Sequence, residues 1–243
     1  MTVLDRYTAR INEQFRRVEE TQHETIMTVG TAVADCVKNG GAVHVYDTGH
    51  IINSELIGRG GGLMLLQGFR YDLQVSSNGP DRDKKADSED MEGLAAYALK
   101  KSTARPGDIL FIGSVSGKSA AVVDLALEAK KYGLTVVAMT SLEYSRAVKS
   151  LHSSGKRLFE CADYVLDNCA PLGEGMLPIQ GIEAPFAAAS GLSAALIMWS
   201  VCAQAVDSLM AAGLTPSLYK SDNIEGGQAY NAKLLQHFKE CGY

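Results

Sequence analysis

The chain has no surplus of positive charge. Its 243 residues carry 23 Lys and Arg against 28 Asp and Glu, a formal net charge of −5. A protein that grips nucleic-acid phosphates wants a basic face, so that role has no electrostatic support. No apolar run approaches the ~20 residues of a bilayer span, and the opening Met-Thr-Val-Leu-Asp-Arg has no export-signal core. Neither a membrane nor a nucleic-acid partner is therefore expected. The five cysteines, at 36, 161, 169, 202 and 241, are odd in number and form no Cys-x-x-Cys. They read as reduced thiols in a cytoplasm. The five histidines, at 23, 44, 50, 152 and 237, show no metal-ligand spacing. No metal is expected, and no cofactor motif is present. What remains is an ordinary soluble composition, 46% hydrophobic and 21% charged, long enough to bury one α/β core.

The stretch that organises the chain runs from Asp108. Residues 109–112 are a short apolar run, entered through Arg105-Pro-Gly-Asp108, and read as a strand buried on both faces. Gly113-Ser-Val-Ser-Gly-Lys-Ser119 follows, with three hydroxyls at Ser114, Ser116 and Ser119. From Ala120 the pattern turns helical. A buried strand, a small hydroxyl-rich turn and a helix start together make an anion cradle, since free amides and the positive end of the helix dipole face the loop. The stretch lacks the Walker spacing between its glycines and the third glycine of the dinucleotide fingerprint. An ordinary βα turn with serine N-caps is the plainer alternative.

The turn resembles the phosphosugar loop of the sugar isomerase (SIS) domain family, Ser-x-Ser-Gly-x-Ser after a central strand. Ser114, Ser116 and Ser119 fall on that pattern. The resemblance implies a second substrate loop after the first strand. Here that loop is Asp47-Thr-Gly-His-Ile-Ile-Asn-Ser54, so Thr48, Gly49, His50, Asn53 and Ser54 become candidate ligands for the sugar and its phosphate. The run Ser54-Glu-Leu-Ile-Gly-Arg59 looks like the Glu-Glu-Leu-Thr-Gly-Arg segment of phosphoheptose isomerases, whose second glutamate is catalytic, and Glu55 occupies that place. Partial burial would raise its pKa toward the range a general base needs. The alternative is a first-turn glutamate complementing the helix dipole. The resemblance also implies that Thr140 and Ser141 close the cradle.

Three segments are similar to a poorly characterised bacterial group of SIS proteins: Leu151-His-Ser-Ser-Gly-Lys-Arg-Leu158, Ala162-Asp-Tyr-Val-Leu-Asp-Asn-Cys169 and Asp222-Asn-Ile-Glu-Gly-Gly-Gln-Ala-Tyr-Asn231. His152, in a polar loop beside Lys156 and Arg157, is a candidate for moving protons between sugar oxygens. The long apolar helix near the C-terminus lacks the histidine of phosphoheptose isomerases and most of the usual hydroxyls. Glu183 just before it is a second candidate base. Lys84 and Lys85 lie in a polar loop, and a solvated charge run is the better reading for them.

The expected fold is a doubly wound parallel five-stranded sheet flanked by helices. A helical arm occupies residues 1–40 and a single SIS unit residues 41–243. The arm reads as one or two amphipathic helices, since residues 2–39 hold no proline and apolar residues recur at three or four. Strands are expected at residues 42–46, 63–66, 109–112 and 134–139 and near 162–169, and helices at 88–102, 119–131 and 186–211, with no hairpin turns. In such sheets ligands sit beyond the carboxyl ends of the strands, where the three hydroxyl loops fall. The expected activity is an aldose–ketose isomerase for a phosphorylated sugar. Alternatives are a sulfonated-sugar isomerase, an etherase that removes a lactyl ether from an amino sugar phosphate, and a non-catalytic phosphosugar sensor. Analogy with the family implies a homodimer or homotetramer.

Overall fold

The computed structural model describes residues 1–49, 53–74, 76, 79 and 92–243. His50, Lys84 and Lys85 lie outside the described residues. The chain opens on α1 (Val3–Lys38), one continuous helix of 36 residues and not two. It starts at a reciprocal cap: Asp5 N donates to Thr2 Oγ1 and Thr2 N to Asp5 Oδ2. Val18, Gln22, Ile26, Val29, Val33 and Val37 form its buried stripe at helical spacing.

The main sheet contains β1 (Val43–Asp47), β2 (Leu66–Gly68), β3 (Ile109–Gly113), β4 (Thr135–Thr140) and β5 (Tyr164–Asp167), in the order β2-β1-β3-β4-β5 and parallel throughout. Between the strands lie α2 (Asn53–Leu56), α3 (Leu94–Lys101), α4 (Ala120–Tyr132), α5 (Leu142–Ala147) and α6 (Leu158–Cys161). The chain ends with β6 (Gly175–Leu177), β7 (Phe186–Ala188), α7 (Ser190–Ala211) and α8 (Gly227–Cys241).

Alternate strand residues feed two cores, as the pleat requires. Val43, Val45, Ile109, Phe111, Val137 and Met139 pack under α1 and α7. Leu110, Ile112, Val136 and Ala138 pack under α3 and α4. Strands buried on both faces are why these segments read as unbroken apolar runs.

Three expectations need correction. The second strand is residues 66–68, because Leu63 instead makes an antiparallel bridge to Leu218 and Met64 N donates to Ser217 O. The last long helix begins at Ser190, because residues 186–188 pair with 175–177 as an antiparallel hairpin that alternation had not revealed. And α7, with a mean hydropathy of 1.5, is long and apolar enough to cross a membrane by length and composition alone. In the fold it is a core helix, with Ala194, Ile197, Met198, Val201 and Ala205 buried against α1. The five cysteines are free, as expected of reduced thiols. Burial pushes the Cys36 thiol up to about 11, with the Asp108 charge adding to it, and burial alone pushes Cys202 up to about 12.

At Gly30, α1 and α7 cross too closely to leave room for a side chain. A Cβ there would lie 2.5 Å from Gln204 Cβ and 2.8 Å from the Val201 carbonyl oxygen. Replacing Gly30 by Ala gains helix propensity of about 1 kcal/mol and costs about 1–3 kcal/mol in overpacking. The expected outcome is a net loss of stability of about 1 kcal/mol, read as a lower denaturation midpoint with unchanged m-value. A midpoint equal to or above the parent's would refute the tight crossing.

Candidate functional site

The strand order reverses at β1 and β3: from β1 the chain steps outward to β2, then crosses back to β3 on the other side. Loops leaving neighbouring strands in opposite directions open a crevice at their carboxyl ends. Two predicted loops meet there. Thr48 N and Thr48 Oγ1 donate to the Gly113 carbonyl at 3.2 and 2.8 Å. Gly49 N turns back onto Asp47 Oδ1 at 3.0 Å.

The turn at residues 114–119 is held from one side only. Thr140 Oγ1 and Ser141 N donate to the Val115 carbonyl, Ser145 Oγ to that of Ser116, Leu158 N to that of Gly117, and Leu151 N to that of Lys118. Four consecutive carbonyls are thus taken from behind. The amides of residues 115–119 donate to nothing among the described residues. The hydroxyls of Ser114, Ser116 and Ser119 likewise make no hydrogen bond among the described residues, and Ser119 holds the N-cap position of α4 without capping it. Gly117 makes the geometry possible. Its φ is +57°, and a Cβ would meet Leu158 Cβ at 3.0 Å and Ser145 Oγ at 3.1 Å. Successive free amides, hydroxyls and a helix N-terminus describe a receptor for an oxyanion. It is not wholly neutral, since half-buried Lys118 belongs to it.

Beside the turn lies a cleft of about 720 Å³ at the ends of β1 and β2, lined by Asp47, Gly49, Asn53 and Ser54 together with Tyr46, Phe69, Arg70, Tyr71 and Asp72. The Tyr46 and Tyr71 rings stack with centroids 5.6 Å apart. Burial pushes the Tyr71 hydroxyl upward from its usual range, with smaller contributions from Tyr46 and Asp124. Asn53 Oδ1 is buried with no hydrogen-bond partner among the described residues.

The other candidates scatter. Thr140 and Ser141 are fully buried, and the Ser141 hydroxyl donates to the Ala170 carbonyl while accepting from Tyr144 N. They brace the turn and do not face a ligand, and Thr48 is a brace of the same kind. Glu55 is the third residue of the short α2, 46% exposed and ion-paired with Arg59, so the burial expected of a general base is not found. Glu183 is exposed in the 177–186 connection of the hairpin, which packs on the N-terminal half of α1 through Tyr7, Ile11 and an Arg6 bond to the Pro178 carbonyl. His152 is a clamp: its Nδ1 accepts from Ser154 N at 3.0 Å, and its Nε2 lies 3.6 Å from Glu92 and 3.9 Å from Asp124, with the side chain 7% exposed. A ring so enclosed is not open to substrate. The aromatic wall, Arg70, Asp72 and Ser145 were missed, because no motif marks them; only the topology brings residues 69–72 to the rim.

Residues 6–141 match the SIS domain profile, and the chain belongs to the SIS domain family. It is 34% identical over 226 residues to a UPF0309 protein of Streptomyces griseus, covering 92% of this chain and 90% of that one. With a UPF0309 protein of Geobacillus thermodenitrificans the identity is 32% over 240 residues, covering 98% and 96%. Among solved structures it resembles a phosphoheptose isomerase from Francisella tularensis, with TM-score 0.52, 18% identity, and coverage of 84% of this chain and 98% of that one. It also resembles the Vibrio vulnificus NanR protein complexed with ManNAc-6P, with TM-score 0.52, 14% identity, and coverage of 98% and 69%. At these identities the structures show a shared fold.

The support behind the turn includes a titratable clamp. Arg157 Nε and Nη2 grip both oxygens of Glu160 at 2.9 Å, while Arg157 Nη1 reaches the Ser145 and Arg146 carbonyls. The Arg157 hydrogen bonds hold the Glu160 carboxyl at about 2, against an ordinary 4.5. A depressed carboxyl stabilises the fold above its unfolded pKa, and that contribution fades as pH falls through the folded value. Glu160→Gln is therefore expected to lower the melting temperature at pH 7, with the gap from the parent closing between about pH 4.5 and 2. A gap independent of pH would refute the clamp.

Proposed function

We propose that the protein is an aldose–ketose isomerase of a phosphorylated sugar. The observation that carries this reading is the one-sided turn at residues 115–118, whose carbonyls are occupied from behind while the amides and the hydroxyls of Ser114, Ser116 and Ser119 stay open. Phosphate is the tetrahedral anion such a turn suits. The fold shared with a phosphoheptose isomerase, and with a protein whose structure holds ManNAc-6P, supports the choice.

With the phosphate held there, the carbon chain lies along the rim toward α2. Glu55, oriented by Arg59, takes the proton from C2. The C2–H electron pair becomes the C1–C2 double bond and the carbonyl pair moves to O1, which takes a proton from solvent water. O2–H then gives its proton to solvent as the C2=O2 bond forms, and the pair of the C1–C2 double bond takes the proton back from the Glu55 carboxyl at C1. Glu183, exposed in the hairpin connection, and His152, enclosed behind the turn, take no part in this chemistry. The exposed apolar cleft between Val3, Leu4 and Phe186 supports self-association as a homodimer or homotetramer. One observation favours a second reading, a non-catalytic sensor: Glu55 is half-exposed and already paired.

Isotope exchange separates the two. Incubated in heavy water with a panel of aldose phosphates, the parent is expected to place deuterium at C1 of the ketose product and at C2 of the recovered aldose. Glu55→Gln is expected to lose exchange by at least the 10²–10⁴ of a general base while keeping affinity, and Ser116→Ala is expected to weaken binding about tenfold. Full exchange by Glu55→Gln removes Glu55 from the mechanism. Binding without exchange by the parent favours the sensor.

A further inference from the structure

We infer that Asn231 is a positioning residue for Glu55: from α8 it fastens the 217–222 segment, and that segment sets the turn in which α2 ends. The inference rests on the isomerase reading of Glu55. α2 has only four residues. It is too short to hold its own place, since a first helical turn orders about three residues for one hydrogen bond. Arg59, the ion-pair partner of Glu55, lies just beyond α2 in the 57–62 turn. Whatever fixes that turn therefore fixes the carboxyl.

The 217–222 segment runs antiparallel to residues 61–64. Gly61 N donates to the Tyr219 carbonyl at 2.7 Å, Tyr219 N to that of Gly62 at 2.9 Å and Met64 N to that of Ser217 at 2.9 Å. Gly62 passes the constraint to α2. Its N–H donates to the Arg59 carbonyl at 2.9 Å, and a Cβ there would lie 2.7 Å from the Leu56 carbonyl oxygen. Ser221 is gripped from two sides. A Cβ on Gly60 would meet its N at 3.1 Å, and one on Gly227, the first residue of α8, would overlap its carbonyl oxygen.

One side chain of α8 closes the assembly. Asn231 Oδ1 accepts from Lys220 N at 2.9 Å, and Asn231 Nδ2 donates to the Lys220 carbonyl and to Asp222 Oδ1, each at 2.8 Å. A carboxamide satisfies both backbone ends of one residue at once, which neither a carboxylate nor an aliphatic side chain can do. The 114–119 turn is braced by other donors altogether. A base must lie within hydrogen-bond reach of the proton it takes, so slack at residue 220 appears as lost turnover and not as lost phosphate binding.

The test follows deuterium exchange on the full chain with the aldose phosphate that the parent exchanges fastest. Inorganic phosphate affinity by calorimetry and the denaturation midpoint are measured alongside. Asn231→Ala is expected to lower exchange turnover by about tenfold or more, toward the ~10² that a displacement of about 1 Å costs, with KM and phosphate affinity within about twofold of the parent's. Asn231→Asp is expected to fall as far, because its carboxylate would face that of Asp222. Adding Asp222→Asn reverses donor and acceptor across that contact and is expected to recover about threefold or more of the lost turnover. If Asn231→Ala does not fold, the exchanged pair decides. Turnover of Asn231→Ala at the parent's level overturns the inference, and so does an equal loss of phosphate affinity or an exchanged pair that recovers nothing. A parent that exchanges no deuterium removes the isomerase reading and the inference with it. A parent that exchanges, with Asn231→Ala unaffected, removes the inference alone.

Discussion

Everything at the rim depends on which side of the 114–119 turn is satisfied. Peptide units bond at both ends, and a turn in a compact fold ordinarily has both ends used or hydrated. Here the carbonyl ends are claimed by donors from β4, α5 and the 150–158 segment. The amide ends have no partner among the described residues, in a turn that follows β3 where the sheet reverses direction. Removing a rear donor would do more than delete one bond, because the peptide units could then rotate and the open amides would no longer converge. Thr140, Ser145 and Leu158 belong to function in this sense although none meets a ligand.

The rear support extends well past its first residues. Arg157 ties α6 to α5 and to Glu160, and Glu92 accepts from Ser153 N and Oγ at 2.7 and 2.5 Å. Asp124, on α4, accepts from Gly93 N at the start of α3. His152 sits between these two carboxylates. The polar 150–157 loop is thus a buckle joining α3, α4 and α6 behind the turn. Catalytic chemistry was expected of it because a histidine among serines and basic residues looks the same in sequence whether it faces a substrate or a neighbouring helix.

That difference marks the limit of what the sequence discloses. The parallel sheet was legible because buried strands give unbroken apolar runs, and the loops at its rim followed from topology alone. Residues 114–119 were legible because small residues and hydroxyls concentrate there. The β6–β7 hairpin was not, since three-residue strands are too short to show alternation. The second strand was misplaced because Leu63, Met64, Leu65 and Leu66 are all buried but only Leu66 pairs with β1. Thr140 and Ser141 were placed correctly beside the turn but on its reverse, and sequence position carries no information about facing. Arg70 and the tyrosine pair escaped notice because their significance lies in β2 ending one strand away from β3.

The most direct measurement is an amide-resolved NMR titration with inorganic phosphate. The account predicts saturable shifts concentrated on the amides of residues 115–119 and the first turn of α4, with the rear donors Leu151 and Leu158 little changed. Shifts centred instead on another basic surface, such as the cleft formed by Arg10, Arg17 and Cys169, with residues 115–119 silent, would contradict it.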